Sequence, residues 1–239
     1  MAALTRRLAL KALAGAALVG WLPARAWAWF RSGLPVRTVE IEDFTFDAAT
    51  GLVRQGGTAK PYALAVDGLV ARPASLDYAA LTALPQVRQT SDFHCVEGWS
   101  VADQAWGGVR PAAIAELVGP KPEARYVILH ALGRTQSRPE GLDHYVECLP
   151  LAELLDPKLS CLLALTLGGE PLPQAHGAPL RLVSPFDLAY KSIKFVTRLE
   201  FAAQPVDGWW TRANDIYDYD TNAPVPPDRL RQKDPRTLS

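Results

Sequence analysis

The chain has 239 residues, 49% of them hydrophobic and 21% charged, with 25 basic and 25 acidic side chains. That length and balance suit one ordinary globular domain, or at most two small ones, and the absence of repeats or low-complexity tracts excludes solenoids and disordered scaffolds. Zero formal charge without a basic stripe removes nucleic acid from the expected partners.

The first 28 residues read as a secretory signal. Thr5-Arg6-Arg7-Leu8-Ala9-Leu10-Lys11 is a basic opening, Ala12 to Leu22 is a short apolar run, and Ala26-Trp27-Ala28 offers small residues for cleavage before Trp29. The run is about half the roughly 20 residues that a membrane span needs. The paired Arg6 and Arg7 resemble the twin-arginine signal, whose route exports folded, often cofactor-loaded proteins, although Ala9 stands where that signal favours Phe. Removing Arg6, Arg7, Lys11 and Arg25 with the signal leaves 21 basic against 25 acidic residues, a mildly acidic mature chain. A periplasmic location follows as the expectation.

Residues 29–60 have few sustained patterns beyond the alternation of Val39 to Phe46, and the glycines at 51, 56 and 57 suggest an exposed entry arm. Residues 61–206 carry the sharp signals. Tyr62 to Val70 alternates as a half-buried strand broken at Asp67-Gly68, Ser75 is placed to cap a helix over Leu76 to Leu84, and Pro85 stops it. Gln86 to Phe93 reads as a strand that delivers Cys95. Trp106-Gly107-Gly108 reads as a turn, and Pro111 as the first residue of a helix to Val118 closed by Gly119-Pro120. Tyr126 to Leu132, Tyr145 to Leu149, Leu162 to Leu167, Leu180 to Val183 and Phe195 to Phe201 read as further strands, with a short helix at Leu151 to Leu155. Together with 20 prolines, this predicts a loop-rich α+β fold of mixed β-sheets and short helices. Residues 207–239, aromatic first and then polar and proline-rich, are expected to wrap the domain and fray.

Several residues could carry chemistry. Cys95, beside His94, is a candidate metal-binding thiol, while Cys148 and Cys161 sit in apolar runs 13 residues apart and are either two core thiols or a disulfide. Arg181, inside an apolar strand, needs an anionic partner. Lys191 and Lys194 flank Ser192 and Ile193 at a spacing that can surround a phosphate ester, and with Arg181 and His176 they form a candidate anion pocket. The polar Gly133 to Asp143 loop holds Arg134 and Arg138, and ligands are often met in such loops.

Three blocks in order, Val66-Asp67-Gly68-Leu69-Val70, His94-Cys95-Val96-Glu97-Gly98-Trp99-Ser100, and Leu172 through His176-Gly177-Ala178-Pro179-Leu180-Arg181 to Tyr190-Lys191-Ser192-Ile193-Lys194, resemble the sulfite oxidase family of molybdopterin-dependent oxidoreductases over about 140 residues. The cysteine block is closest to the periplasmic methionine sulfoxide reductase catalytic subunits. The resemblance implies a sulfite oxidase-type molybdopterin-binding fold and a molybdenum-molybdopterin cofactor. Cys95 would be the metal's thiolate ligand. His176, Arg181, Lys191, Ser192, Ile193 and Lys194 would contact the pterin and its phosphate. A further family contact, an Asn or His ahead of Pro61, has no clear counterpart.

The implied activity is oxygen-atom transfer, reducing an S-oxide or N-oxide, with sulfite dehydrogenation as the alternative. Arg134, Arg138, His144 and Tyr145 are candidates for the substrate mouth. With three cysteines and no Cys-x-x-Cys-His run, the electron partner is expected to be a separate protein, which the resemblance implies is a haem protein or cytochrome. The 38 residues after Phe201 are too few for the family's dimerising β-sandwich of about 100 residues, so a monomer is expected. Two rivals lie outside the family's chemistry. One is a hydrolase with Cys95 as nucleophile, which His94, on the opposite strand face, is badly placed to serve as base. The other is a cofactor-free periplasmic binding module.

Overall fold

Residues 33–36, 38–214 and 223–238 are described in this computed structural model. The chain divides into two units, Met1–Val36 and Arg37–Ser239, and every element named below lies in the second. The export signal read at residues 1–28 falls outside the described residues, as do Tyr217 and Tyr219.

The second unit opens with four short strands, β1 (Glu40–Ile41), β2 (Phe44–Asp47), β3 (Leu52–Gln55) and β4 (Thr58–Pro61). The last three form an antiparallel sheet, so this stretch is not an exposed arm. The Asp47 carboxylate accepts from the Ala49 amide at 2.9 Å and the Thr50 hydroxyl at 2.8 Å, which closes the first turn. Phe44 and Val53 are buried in the main core, and Phe46 meets the rings of Tyr62 and Tyr78 edge-on. The glycines supply turns within a hairpin, and the apolar partners that stabilise it lie far away in the chain.

β5 (Ala63–Gly68) alternates as expected and ends at Asp67-Gly68, where Gly68 takes φ 82°, followed by β6 (Ala74–Asp77). The next helix, α1 (Tyr78–Ala83), starts later than the Ser75 cap predicts, because Asp77 caps it, accepting from the Ala80 amide at 2.7 Å, while Ser75 pairs with Ala65. Then come β7 (Gln86–His94), β8 (Ser100–Val109) and α2 (Pro111–Val118), which Gly119 closes at φ 64°. β9 (Tyr126–Ala131), β10 (Arg134–Thr135), β11 (Val146–Pro150), α3 (Leu151–Leu155), β12 (Leu162–Leu167), β13 (Glu170–Pro171), β14 (Arg181–Val183), β15 (Val196–Ala202) and α4 (Trp209–Ala213) complete the fold.

Two larger sheets share one core. In the first the order is β11-β9-β15-β5-β6, with β15 parallel to β5 and the other pairs antiparallel. In the second, β13-β12-β8-β7, β14 also pairs with β12. Leu64, Val66, Val127, Leu129 and Leu199 of the first sheet and Val109, Leu163, Leu165 and Leu182 of the second belong to one apolar cluster.

Trp106-Gly107-Gly108 is not a turn but the middle of an antiparallel ladder. A side chain on Gly108 would place its Cβ 2.1 Å from the Leu163 carbonyl oxygen and 2.8 Å from Ala164 Cα, and one on Gly107 would lie 2.3 Å from Thr166 Oγ1. The glycines let β8 and β12 approach. Asp92 of β7 faces both Ala102 and Asp103 of β8, between the pairs Ser91–Gln104 and Phe93–Val101, and Asp103 takes φ 56°. This is a β-bulge, a device common beside active sites.

Beneath β11 lies a buried ion pair. Lys191 Nζ donates to Glu147 Oε2 at 2.8 Å and to the Cys148 carbonyl at 3.4 Å, and neither charged side chain has any exposed surface. The Tyr145 hydroxyl donates to the same carboxylate at 3.4 Å and to the Tyr190 carbonyl at 2.8 Å. Burial pushes the Glu147 carboxyl upward, against the pull of the Lys191 cation. Cys148 and Cys161 are buried thiols and are not joined to each other.

Two stability outcomes follow. Gly108→Ala should cost about 1–3 kcal/mol or more, since it meets backbone on the facing strand; Gly107→Ala should cost less, because only the rotatable Thr166 side chain stands in its way, and thermal unfolding of the two variants compares them. Lys191→Met should lower stability in urea unfolding by about 3–5 kcal/mol by stranding Glu147, and adding Glu147→Leu should recover most of that loss.

Candidate active site

Cys95 to Trp99 form the connection between β7 and β8. The Cys95 amide donates to the Trp99 carbonyl at 2.9 Å, and the Gly98 amide donates to the Cys95 carbonyl at 3.1 Å. Gly98 sits at φ 95°, which a residue with a Cβ rarely adopts, so the tight loop depends on it. Trp99 stacks on Phe93 with ring centroids 6.4 Å apart, and its Nε1 donates to Glu97 Oε2 at 2.9 Å. Cys95 Sγ lies 3.9 Å from that same oxygen and is 8% exposed. His94 turns away into the fold: its Nδ1 is 2.8 Å from Ser100 Oγ, and burial lowers its pKa.

The second half of the site gathers around Gly177. His176 ends a 3-10 turn at Gln174–His176, and Gly177 takes φ 112°. A Cβ there would fall 2.9 Å from Lys194 Cβ and Cγ and 3.1 Å from Arg181 Cβ, so the three segments meet at a residue with no side chain. Arg181 is buried. Its Nη1 donates to the His176 carbonyl at 2.9 Å, Nη2 to the Ser192 carbonyl at 2.9 Å, and Nε to the Leu182 carbonyl at 3.3 Å. Its guanidinium carbon lies 5.1 Å from the Phe93 ring centroid and 5.2 Å from that of Trp106. Among the described residues no carboxylate is within ion-pair distance of it, and burial pushes its pKa down to about 10.

Ser192 Oγ accepts from the Ser184 amide at 3.0 Å, and Ile193 is core. Lys194 Nζ lies 3.8 Å from Glu40 Oε2 and 4.8 Å from the Phe195 ring centroid. Phe195 is held at φ 58°, a costly conformation for a side-chain-bearing residue, and its amide donates to the Gly177 carbonyl at 3.1 Å. Glu40, buried on β1, went unrecognised because it stands on the acidic phase of an alternating stretch, between Val39 and Ile41, and that pattern assigns it to solvent.

The remaining candidates separate from this cluster. Lys191 is committed to Glu147 and leaves the anion pocket that its spacing suggested. Tyr145 is buried against Trp209, ring centroids 5.9 Å apart, with its hydroxyl donated inward. Arg134 is exposed and lies 3.6 Å from Asp43, and Arg138 is exposed ahead of a 3-10 turn at Pro139–Gly141. His144 joins a surface chain in which Asp143 Oδ1 is 2.8 Å from its Nδ1, and its Nε2 is 3.0 Å from His130 Nδ1. His130 Nε2 in turn lies 3.2 Å from Glu200 Oε2.

Sequence reasoning expected a wrapping tail but missed its contacts with the cysteine loop. Instead of fraying, residues 223–238 return to the cysteine loop. Arg229 Nη2 lies 2.9 Å from the Cys95 carbonyl oxygen, 2.7 Å from that of Trp99 and 3.1 Å from Ser100 Oγ. Arg231 spans Asp92 and Asp103 at the bulge, and Arg236 binds Asp187, Glu153 and Asp234. Val96 packs on Leu188, Tyr190, Ala223 and Val225. No local pattern could announce contacts formed across 130 residues.

The buried groups favour an anionic, acceptor-rich guest. Arg181, Lys194 and Arg229 outnumber Glu40, and Ser91 Oγ, Trp106 Nε1 and Arg229 Nε are buried without a hydrogen-bond partner. Such atoms are almost always satisfied in folded proteins. A soft thiol on the loop that Phe93 links to Arg181 fits a sulfur-bound metal carried on an anionic group.

Known proteins agree with this chemistry. The family described as oxidoreductase molybdopterin binding domain matches residues 51–210. The uncharacterized oxidoreductase YuiH of Bacillus subtilis (strain 168) is 41% identical over 149 residues, covering 62% of this chain and 69% of that protein. The protein-methionine-sulfoxide reductase catalytic subunit MsrP of Gluconobacter oxydans (strain 621H) is 34% identical over 171 residues, covering 68% of this chain and 54% of that one, so the chain spans about half of its length. The sulfane dehydrogenase SoxCD of Paracoccus pantotrophus shares the fold, with a TM-score of 0.51 at 22% identity over 60% of this chain and 38% of its own. The chain therefore belongs to the oxidoreductase molybdopterin binding domain family, as an enzyme whose cofactor is molybdenum-molybdopterin.

Proposed function

We propose that this enzyme reduces an S-oxide or N-oxide by oxygen-atom transfer, with Cys95 as the protein's ligand to molybdenum. The observation that carries the reading is the Cys95 thiol on a tight loop whose supporting strand stacks, through Phe93, on the buried cation Arg181. When bound, the molybdenum centre supplies the two-electron exchange of an oxygen atom with the substrate. The Cys95 sulfur serves as a soft, deprotonated donor. Arg181 and Lys194 supply positive charge to the cofactor's anionic arm, with His176, Ser192 and Ile193 shaping the turn around it. Lys191 supports this region from beneath through its pair with Glu147.

Reduction of an oxide is favoured over sulfite dehydrogenation by the way the arginines around Cys95 are used. Arg229 is turned to backbone carbonyls and Arg231 to Asp92 and Asp103, whereas a sulfite dianion needs uncommitted cations. The likeness to a methionine sulfoxide reductase catalytic subunit supports the same direction. Electrons then arrive one at a time from a separate haem protein or cytochrome. Arg134, Arg138 and His144 lie on the loop that would face substrate or partner. Residues 1–28 act as a twin-arginine signal to the periplasm, residues 61–206 as the catalytic domain and 207–239 as its wrapping tail, in a monomer. No helix among the described residues is long and apolar enough to cross a membrane.

The wild-type chain, produced in a cofactor-competent host, should contain molybdenum and pterin by elemental and fluorescence analysis. It should oxidise reduced viologen with S-oxides while failing to pass electrons from sulfite to an acceptor. Cys95→Ser should lose more activity than the roughly 10- to 100-fold typical of outer-shell changes. A metal-free wild type, or brisk sulfite oxidation, would contradict the proposal. Replacing Arg6 and Arg7 by lysine should leave the protein in the cytoplasm, and unimpaired export would refute the signal.

A further inference from the structure

We propose that Arg229 is a positioning residue that sets the orientation of the Cys95 side chain, making the C-terminal segment a clasp on the active site. The inference rests on the reading of Cys95 as the metal ligand. The loop from Cys95 to Trp99 has only two internal backbone hydrogen bonds, Cys95 to Trp99 and Gly98 to Cys95. Both accepting carbonyls also receive Arg229 Nη2, at 2.7 Å for Trp99 and 2.9 Å for Cys95. The same nitrogen lies 3.1 Å from Ser100 Oγ, which is itself 2.8 Å from the His94 ring. One charged nitrogen thus links the last residue of β7, the cysteine, the end of the loop and the first residue of β8. The Cys95 N–H and C=O are thereby both held, and with them the direction of the Cα–Cβ bond from which Sγ projects.

The clasp is itself anchored on both sides of Arg229. The next residue, Leu230, packs against the same buried cluster of Leu188, Tyr190, Ala223 and Val225 as Val96, which adjoins Cys95. Arg231 grips Asp92 and Asp103, at the bulge that precedes the loop. Upstream, the Val225 amide donates to the Phe186 carbonyl at 3.0 Å and the Leu188 amide to that of Ala223 at 2.7 Å. Downstream, Arg236 Nη1 lies 3.0 Å from Asp187. The guanidinium is therefore delivered from a fixed frame rather than from a loose tail. The N–H groups of Nη2 are fixed in the guanidinium plane, whereas a lysine ammonium rotates freely about its stem.

The test uses the full-length, cofactor-loaded protein and the variants Arg229→Ala, Arg229→Gln, Arg229→Lys and Arg231→Ala. In Arg229→Ala, hydrogen exchange at the Cys95 and Gly98 amides should rise roughly tenfold or more, as expected for losing charge-assisted hydrogen bonds. The Mo(V) paramagnetic resonance signal should change its g-anisotropy, because that anisotropy depends on how the thiolate sulfur is oriented. Arg229→Lys should fall between Ala and wild type, and Arg229→Gln, which keeps part of the stem, should show the same changes as Ala and replaces it in the test if Ala folds poorly. Arg231→Ala, which loosens the frame but leaves Arg229 Nη2 on the loop carbonyls, should change the signal less than Arg229→Ala. Wild-type exchange in the loop of Arg229→Ala and Arg229→Gln would overturn the clasp. Faster exchange with an unaltered signal would also overturn it, by reducing Arg229 to a fastener that does not orient the ligand. A wild type without molybdenum would instead remove the ligand reading, while the exchange arm would still decide whether Arg229 holds the loop.

Discussion

The guanidinium of Arg181 is the tie on which the site depends. Burying a cation is costly unless the fold surrounds it with acceptors. Here three backbone carbonyls and two aromatic faces do so, and each comes from a different part of the site. His176 and Ser192 represent the two turns that meet at Gly177 and Lys194, Leu182 the strand β14, and Phe93 and Trp106 the two strands that flank the cysteine loop. A neutral side chain would leave those carbonyls turned toward nothing. A carboxylate partner would neutralise the charge and spoil the pocket for an anionic guest. The absence of such a partner among the described residues is thus consistent with the function, since the positive charge is held in place by dipoles and rings that do not cancel it.

Much of the architecture was legible because hydrophobic periodicity reports directly on burial. Strands β5, β7, β9, β12 and β15 lie close to where alternation or apolar runs put them, and Pro111 and Gly119 bound α2 as their backbone preferences demand. The failures have identifiable causes. Gly107 and Gly108 look like a turn because glycine marks both tight bends and close strand approach, and only the facing β12 decides between them. Asp77 displaced Ser75 as a cap because Ser75 was claimed by strand pairing. The segment from Phe44 to Lys60 looked like an arm because its stabilising contacts are with Tyr62, Tyr78 and Phe195, not with itself.

The lysine pair shows where spacing arguments stop. Lys191 and Lys194 stand three apart, and on a continuous helix they would share a face. The chain instead leaves its 3-10 turn at Ser192 and reaches the left-handed Phe195 three residues later. Lys191 goes beneath β11 to Glu147, and Lys194 goes toward Glu40. One lysine became part of the foundation and the other stayed by the pocket. Both acidic partners sit too far away in sequence to have been assigned from charge patterning.

The bulge at Asp92 adds a property beyond local twist. In a regular hairpin every pair is locked to one register, and a one-residue change at the tip moves side chains to the opposite face all the way down the strand. Here the ladder is divided. Pairs from Gln86–Val109 to Ser91–Gln104 follow one register, and Phe93–Val101 and His94–Ser100 follow another. The half that packs on β12, with its two crowded glycines, is therefore uncoupled from the half that presents the thiol. The distal half can vary in length or shape, and so alter what approaches Cys95, without disturbing the seam on which the second sheet is built.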